Sequence, residues 1–545
     1  MIYSADFETT TDPSDCRVWA WAVCEIEDER NIWFGDDVQS FVEFMKKNQG
    51  EYYFHNAGFD SEFIFSYLLK EQGFTWCERA REKGITLLMS SARKFYQSTI
   101  YFTKSKRGTT KATIKDSYKK LPYSVDKIAK DYGISYQKLE IDYKLHRPVG
   151  YKMTEQEREY IAHDVQIIAV ALRMQFDQEL TAITIGADAL KHAKSSFEFQ
   201  KYFPVLPLEV DAEIRKAYKG GYTFVNPLYR GKDIGAGIVL DVNSMYPAQM
   251  KKPLPVGYPT YYEGKYTGER MHIQRFTCTC ELKPEKLPTL QVKKNPYFAE
   301  HEYVTQIIEP TEICMTDIDM KLFFEHYYVD VVEWTDAYAF NQAQGMFDPY
   351  IDYWMAVKEN STGAVRMNAK LMLNSLYGKL ATNPDVTGRY MQLDDDGVIQ
   401  YPMKPDKEYR DPVYTAAGAY ITAYSRDLII RSAQTVYDRF VYCDTDSLHL
   451  VGTDIPAGLD IHPTRLGAWD HEATFERAKF PRSKTYIEVI NGVNHVKCAG
   501  LRADMRDAIP FEKFEIGLQI PGGKLRPRHV PGGIVLEEAT FTLRG

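Results

Sequence analysis

Val441-Tyr442-Cys443-Asp444-Thr445-Asp446-Ser447-Leu448-His449-Leu450 is the stretch around which the rest of the chain can be arranged. Apolar residues flank two carboxylates two positions apart, which predicts two short β-strands joined by a polar Asp-Thr-Asp-Ser tip. Two acids on one tight turn repel each other and gain nothing from burial; a hard divalent cation would explain them. Taken alone, such a turn is more often a plain solvated loop. The other stretches reverse that balance.

Gly237-Ile238-Val239-Leu240-Asp241-Val242-Asn243-Ser244-Met245-Tyr246-Pro247 predicts a buried strand ending in an acid, so Asp241 can join Asp444 and Asp446. The run from Lys370 to Gly378 predicts a helix on which Arg366, Lys370, Asn374 and Tyr377 form one polar stripe. Lys358 falls three turns earlier, on the same helix if that helix extends so far. A cationic stripe opposite acids suits a triphosphate, whose transfer is mostly positioning and charge neutralisation. A solvated basic helix face is the competing explanation. In Tyr218-Lys219-Gly220-Gly221 the paired glycines allow positive φ and close backbone approach, as a template strand would need, or simply a turn. Ser483-Lys484-Thr485-Tyr486-Ile487 is expected to put Lys484 and Tyr486 on one strand face.

The N-terminal third carries a second set of acids. Ile2 to Thr10 predicts a strand with Asp6 and Glu8 on one face, paired with a strand over Trp19 to Ile26. A strand over Tyr52 to Asn56 leads into a helix that begins near Asp60. A later helix over Thr154 to Phe176 opens on a Thr154-x-x-Glu157 capping box and sets Tyr160 and Asp164 on one face. Asp6, Glu8, Asp60 and Asp164 could together hold two divalent ions that clamp the attacking and leaving oxygens of a phosphodiester, with Tyr160 orienting water. Four unrelated surface acids are the alternative. Lys104, Lys106, Arg107, Lys111, Lys115, Lys119 and Lys120, interleaved with Tyr101, Phe102 and Tyr118, suggest contact with single-stranded nucleic acid; a solvated hairpin explains the Lys104–Lys111 part nearly as well.

Bulk properties bound these readings. The 545 residues allow two to four domains with ample core. Aromatics reach 14%, with 39 Tyr, which suits base stacking, whereas a net charge of −8 argues mildly against a nucleic-acid protein. The 8 Cys are scattered, and Cys278-x-Cys280 has no partner pair at zinc spacing, so free or buried thiols and a reducing compartment are expected. No apolar run is long enough to span a bilayer and the N-terminus lacks signal-peptide form, which predicts a cytoplasmic protein without membrane contact.

These residues carry a resemblance. Asp6-Phe7-Glu8, Asn56-x-x-x-Asp60 and Tyr160-x-x-x-Asp164 resemble the three exonuclease motifs of the DnaQ-type, RNase H-like 3′-5′ proofreading domains of family B DNA polymerases. Asp241 and its flanks resemble motif A, Lys370-x-x-x-Asn374-Ser375-x-Tyr377-Gly378 motif B, Asp444-Thr445-Asp446 motif C, and Lys484-x-Tyr486 the Lys-x-Tyr motif. The resemblance implies Mg²⁺, two ions per active site with Mn²⁺ a possible substitute. Asp241 and Asp446 would be principal ligands, Asp444 supporting, and the Val242 carbonyl a further ligand. Tyr246 would pack under the deoxyribose and exclude a 2′-hydroxyl. Lys358, Arg366 and Lys370 would contact the triphosphate, with Asn374 beside them, and Tyr377 the nascent base pair. Tyr218, Gly220 and Gly221 would join the two activities, and Lys484 and Tyr486 would hold the primer terminus. Thr9, His55, Asn56, Phe59, Phe63, Ser117, Tyr118 and Tyr143 would line the single-strand path, and Lys138 would assist hydrolysis.

Two insertions, at about 253–345 and 385–407, resemble those of the protein-primed members, in particular the replicative polymerases of small Bacillus-type tailed bacteriophages. The expected architecture is therefore α/β and multidomain: a 3′-5′ exonuclease domain over 1–185 and a right-hand polymerase domain over 186–545. The latter divides into palm (about 186–252 and 408–500), fingers (about 346–384), a second-insertion hairpin with its turn at Asp394-Asp395-Asp396-Gly397, and a short thumb from about 501. Implied partners are primer-template and single-stranded DNA, dNTPs and a terminal protein, for a monomer in the host cytoplasm. Two other classes compete: a nuclease whose C-terminal half only positions DNA, and a catalytically silent scaffold at a replication fork. Intact Asp241, Asp444, Asp446 and Lys370 argue against both.

Overall fold

The Asp-Thr-Asp turn lies at one end of a five-stranded antiparallel sheet. Its strand order is Trp469–Phe475, Gly237–Val242, Ser447–Val451, Phe440–Asp444, Thr223–Val225. This computed structural model describes every residue except 106, 107, 292–302, 507 and 545. Lys106, Arg107 and the Lys293-Lys294-Asn295-Pro296 run of the first insertion lie outside the described residues. Asp444 and Asp241 both sit opposite Ser447, on either side of the Ser447–Val451 strand, so the acids reach the same sheet end. Thr445 turns the chain with φ 67°, and the Asp446 amide donates to the Asp444 carbonyl at 2.8 Å. Ile238, Leu240, Leu448 and Leu450 alternate onto one face and pack with Ile429, Ile430 and Ala433 of the Thr415–Thr435 helix.

The N-terminal region is built on a separate eight-stranded mixed sheet. Its Ile2–Thr9 strand pairs antiparallel with Val18–Glu25 and parallel with Glu51–Phe54. The Glu155–Phe176 helix starts at the Thr154 capping box and buries Ile161, Val165, Ile168 and Leu172 against Trp19, Ala20 and Ala22. The Asp60–Lys70 helix covers the other face, with Phe63, Ile64 and Leu68 packed with Phe7 and Phe54.

Several expectations change in detail. Lys358 is not on the motif B helix: Asp348–Asn360 and Gly363–Leu380 are two helices, separated where Ser361, Thr362 and Gly363 (φ 55°) break the ladder. Lys484 is not on a strand face with Tyr486; it occupies the turn before Thr485–Ile490 with φ 57°. The compact stretch over Val489 to Lys497 is a tight hairpin in which Asn491 and Gly492 both take positive φ, as a two-residue turn between twisted strands requires.

The first insertion forms a four-stranded sheet of Leu254–Glu263, Met271–Leu282, Gln306–Thr316 and Tyr327–Ala343. The second is a short hairpin whose turn Asp394 organises, accepting from the Asp396 and Val398 amides at 3.1 and 2.8 Å. It docks on the N-terminal region: Met391, Ile399 and Tyr401 are buried in that region's core, and the Tyr401 hydroxyl donates to Glu62 at 2.6 Å. The C-terminal Gln519–Val530 and Gly533–Thr542 hairpin reaches the same helix, its Gly532 amide donating to Ser66 Oγ at 3.1 Å. All eight cysteines are free, and among the described residues no helix is long and apolar enough to cross a membrane.

Candidate functional site

The strand end bearing Asp241 opens into a cavity of about 560 Å³. Asp241, Val242, Ser244, Tyr246 and Asp446 line it from the sheet side; Arg366, Lys370, Asn374 and Tyr377 line it from the Gly363–Leu380 helix, and Lys358 from the preceding helix. Residues separated by two hundred positions are thereby gathered with acids on one wall and cations on the other. Burial and the neighbouring Asp446 push the Asp241 carboxyl up to about 7, and burial also raises Asp446. Lys358 moves the opposite way, lowered first by burial and then by Arg366 and Lys370. Each wall thus needs charge of the other sign between them. Lys358 Nζ donates to Ser244 Oγ at 3.0 Å, while Asp444 lies outside the cavity and takes Lys484 Nζ at 2.6 Å.

Tyr246 and Tyr377 stack with ring centroids 3.7 Å apart, forming one flat wall. Gly221 explains part of the glycine pair. Neither Gly220 nor Gly221 has positive φ, but a Cβ on Gly221 would lie 2.8 Å from Thr445 Cγ2 and 3.1 Å from the Tyr246 hydroxyl. Close approach to the Asp-Thr-Asp turn, rather than a left-handed backbone, requires that glycine. Glu472 also lines the cavity and was not foreseen. It is the extra residue of a β-bulge, since Val239 pairs with Ala473 and Leu240 with His471. Bulges re-aim a side chain without leaving a sequence pattern.

The second acid group opens into a groove of about 990 Å³ lined by Asp6, Glu8, Thr9, His55, Phe59, Lys138, Tyr143, Tyr160 and Asp164. Asp60 is buried behind it. Burial, then the other acids, raises the carboxyls of Asp6 (to about 7), Glu8 and Asp60; burial raises Asp164 against the pull of Lys138. Lys138 Nζ bonds Asp164 and lies 3.2 Å from the Tyr160 hydroxyl, which meets the Tyr143 hydroxyl at 2.7 Å. Asp164 Oδ1 is enclosed with no partner among the described residues. Mutually repelling carboxylates and an orphaned carboxylate oxygen fit a divalent cation. Among the described residues no group of three or more His, Cys, Asp or Glu side chains is already arranged around a metal position.

Other predicted strand contacts fall differently. Asn56 is exposed with φ 74° and does not line the groove, and Tyr118 is exposed, but Phe63 and Ser117 are buried. Phe63 packs under the C-terminal hairpin at Gly533 and against Phe59, and Ser117 Oγ donates to the Phe54 carbonyl at 3.1 Å while meeting His55 Nδ1 at 3.0 Å. Much of the basic stretch is consumed internally: Lys115 pairs with Glu51, Lys119 with Asp116 and Lys120 with buried Asp188. Leu525, Leu536, Glu537 and Glu538 of the C-terminal hairpin wall the groove instead. Nothing local in their sequence signals this, because it depends on a long-range docking.

A nucleotide-sized cavity between opposed acids and cations, on an antiparallel sheet beside a second acid-lined groove, defines a nucleotidyl-transferring enzyme of the DNA polymerase class. The description "DNA polymerase type B, organellar and viral" matches residues 42–149 and 140–460. The DNA polymerase of Bacillus phage M2 is 42% identical, covering 100% of this chain and 99% of that relative. Two solved structures, Phi29 DNA polymerase with single-stranded DNA and with primer-template DNA and incoming nucleotide substrates, superpose with TM-scores of 0.95 and 0.94 at 40% and 41% identity, each covering 100% of both chains. The chain belongs to the type B DNA polymerase family. It is a DNA-directed DNA polymerase with the exonuclease-plus-right-hand fold of that family, whose chemistry uses divalent metal ions.

Proposed function

We propose that the chain is a replicative polymerase that starts on a protein primer, proofreads in its N-terminal groove and displaces the non-template strand. The observation that carries the reading is the pair of acid-lined sites held by different sheets, one faced by Lys358, Arg366 and Lys370, the other by Lys138 and Tyr160.

In synthesis, Arg366, Lys370 and Lys358 receive the triphosphate, and the stacked Tyr246–Tyr377 wall holds sugar and base. Asp241 and Asp446, with the Val242 carbonyl, would hold Mg²⁺ or Mn²⁺, whose charge would serve to activate the primer 3′-hydroxyl and to neutralise the leaving pyrophosphate. Lys484 and Tyr486 fix the primer end. In degradation, Asp6, Glu8, Asp60 and Asp164 would hold the metal, Tyr160 orients water and Lys138 supports the charge that develops at the phosphate. Thr9, His55, Asn56, Phe59 and Tyr143 guide the strand.

The exposed Tyr258, Tyr261, Ile308 and Tyr328 of the first insertion favour a protein partner there, the terminal protein. The docked second insertion favours an enclosed template path and hence strand displacement. A monomer in the host cytoplasm completes the proposal. The test is incubation of primer-template, labelled dNTPs and Mg²⁺, in parallel with an unprimed reaction containing a candidate terminal protein. Primer extension plus covalent labelling of that protein supports the reading; extension without labelling removes the protein-priming part.

A further inference from the structure

The fingers helix Gly363–Leu380 has two faces with different attachments. Arg366 and Lys370 point into the nucleotide cavity. Asn368, between them in sequence, is fully buried on the opposite side, against the exonuclease region. There the Tyr132 hydroxyl donates to Asn368 Oδ1 at 2.6 Å, and Gln175 Nε2 approaches the same oxygen at 3.2 Å. Gln175 Nε2 also reaches the Tyr132 hydroxyl at 3.3 Å and the Lys120 carbonyl at 3.2 Å. Tyr132 ends the Val125–Tyr132 helix and Gln175 belongs to the Glu155–Phe176 helix, both of the exonuclease region. Ala364 and Met367 extend the contact by packing into that region's core, and Gly363 starts the fingers helix beside the Tyr132 carbonyl.

We infer that Tyr132 and Gln175 are positioning residues for DNA synthesis: through Asn368 they hold the fingers helix where Arg366 and Lys370 can receive the nucleotide. The inference rests on the nucleotide-binding assignment of those two cations made above. Asp241 is rooted in the palm sheet, so the spacing between acids and cations depends on where the fingers helix sits as a body. Severing the joint leaves a buried amide without its donor, and it is already incomplete: Asn368 Nδ2 and Gln175 Oε1 have no partner among the described residues. A helix freed on this side spends part of its time misplaced. The apparent nucleotide affinity then falls by the fraction still competent, while the rate from the filled site is unchanged.

The experiment is single-nucleotide incorporation by the full chain on primer-template with saturating Mg²⁺, alongside degradation of single-stranded DNA and thermal unfolding. Tyr132→Phe is expected to raise the dNTP Kd measurably, by at most about five-fold, the limit set by one buried hydrogen bond lost, with the maximal incorporation rate and the degradation rate unchanged. Asn368→Leu should act similarly. Tyr132→Phe with Asn368→Leu should raise the Kd by less than the product of the two single effects, because the Tyr132–Asn368 donor and acceptor are removed together while Gln175 Nε2 keeps the Lys120 carbonyl. Lys370→Ala serves as the control for the site itself. If Lys370→Ala raises the Kd but neither single variant does, the positioning role is overturned. If Lys370→Ala leaves the Kd unchanged, the nucleotide-site assignment fails instead. If Kd, maximal rate and degradation all worsen together with the unfolding midpoint, the joint is merely structural and the inference is overturned.

Discussion

Tyr401→Phe isolates one hydrogen bond at the place where the second insertion meets the exonuclease domain. The hydroxyl donates at 2.6 Å to Glu62, and both side chains are buried, at 5% and 3% exposure. Removing the hydroxyl keeps the ring and the apolar contacts of Met391 and Ile399 but takes a donor from a buried carboxylate. Hydrogen bonds to charged groups contribute about 1.5–3 kcal/mol, so docking should weaken by about 2 kcal/mol and the undocked population rise about thirty-fold. The Arg389 amide reports this directly, because it donates to the Met89 carbonyl across the junction at 3.2 Å. Its hydrogen exchange should accelerate about thirty-fold, while the Leu448 amide in the palm sheet stays unchanged. On DNA, product length per binding event should shorten in the presence of a trap, with the single-nucleotide rate preserved. Arg389 exchange within two-fold of the parent would show that Glu62 is satisfied otherwise and that the hairpin does not depend on this contact.

Three further outcomes follow from named contacts. His529 of the thumb lies 3.4 Å from Glu62, and the nearness of that carboxylate raises its pKa against burial and the charge of Arg93. A raised histidine stabilises the thumb–exonuclease contact fully below its unfolded pKa near 6.5 and loses that contribution as pH climbs through the folded value; protease protection of the thumb tip should therefore fall above about pH 6.5, and His529→Gln should flatten the profile. Gly221→Ala places a Cβ against Thr445 and Tyr246 and should cut primer extension by about five- to 150-fold, a clash of about 1–3 kcal/mol, while single-strand degradation measured in parallel is kept. Tyr246→Val removes half of the stacked wall and should raise the rNTP:dNTP incorporation ratio, read by single-nucleotide kinetics with each substrate.

Much of the site is legible because local periodicity and chemistry agree. The strand–turn–strand around Asp444 and Asp446, the strand ending at Asp241, the capping box at Thr154 and the stripe on the fingers helix all follow from spacing within one element. What is lost depends on how elements meet. Lys358 reaches the cavity from a different helix, and Lys484 reaches Asp444, outside the cavity, from a left-handed turn rather than a strand. Glu472 enters through a bulge that no alternation pattern reveals. Lys115, Lys119 and Lys120 look like a nucleic-acid surface in one dimension, yet Glu51, Asp116 and Asp188 neutralise them in three. The thumb's wall on the exonuclease groove, and the burial of Phe63 beneath Gly533, depend on contacts more than four hundred residues apart.

On the reading proposed above, extension and shortening of a DNA strand reside in two acid groups on two sheets. The most direct measurement follows one labelled primer-template with Asp446→Ala and with Asp6→Ala plus Glu8→Ala, each assayed with dNTPs for extension and without dNTPs for shortening. Asp446→Ala should lose extension and keep shortening of the 3′ end, and the double variant should do the reverse, with each lost activity down at least about a hundred-fold, the scale of removing a group that stabilises transition-state charge. If either variant, shown folded by its unfolding midpoint, loses both activities together, a single shared site performs them and the two-site account is wrong.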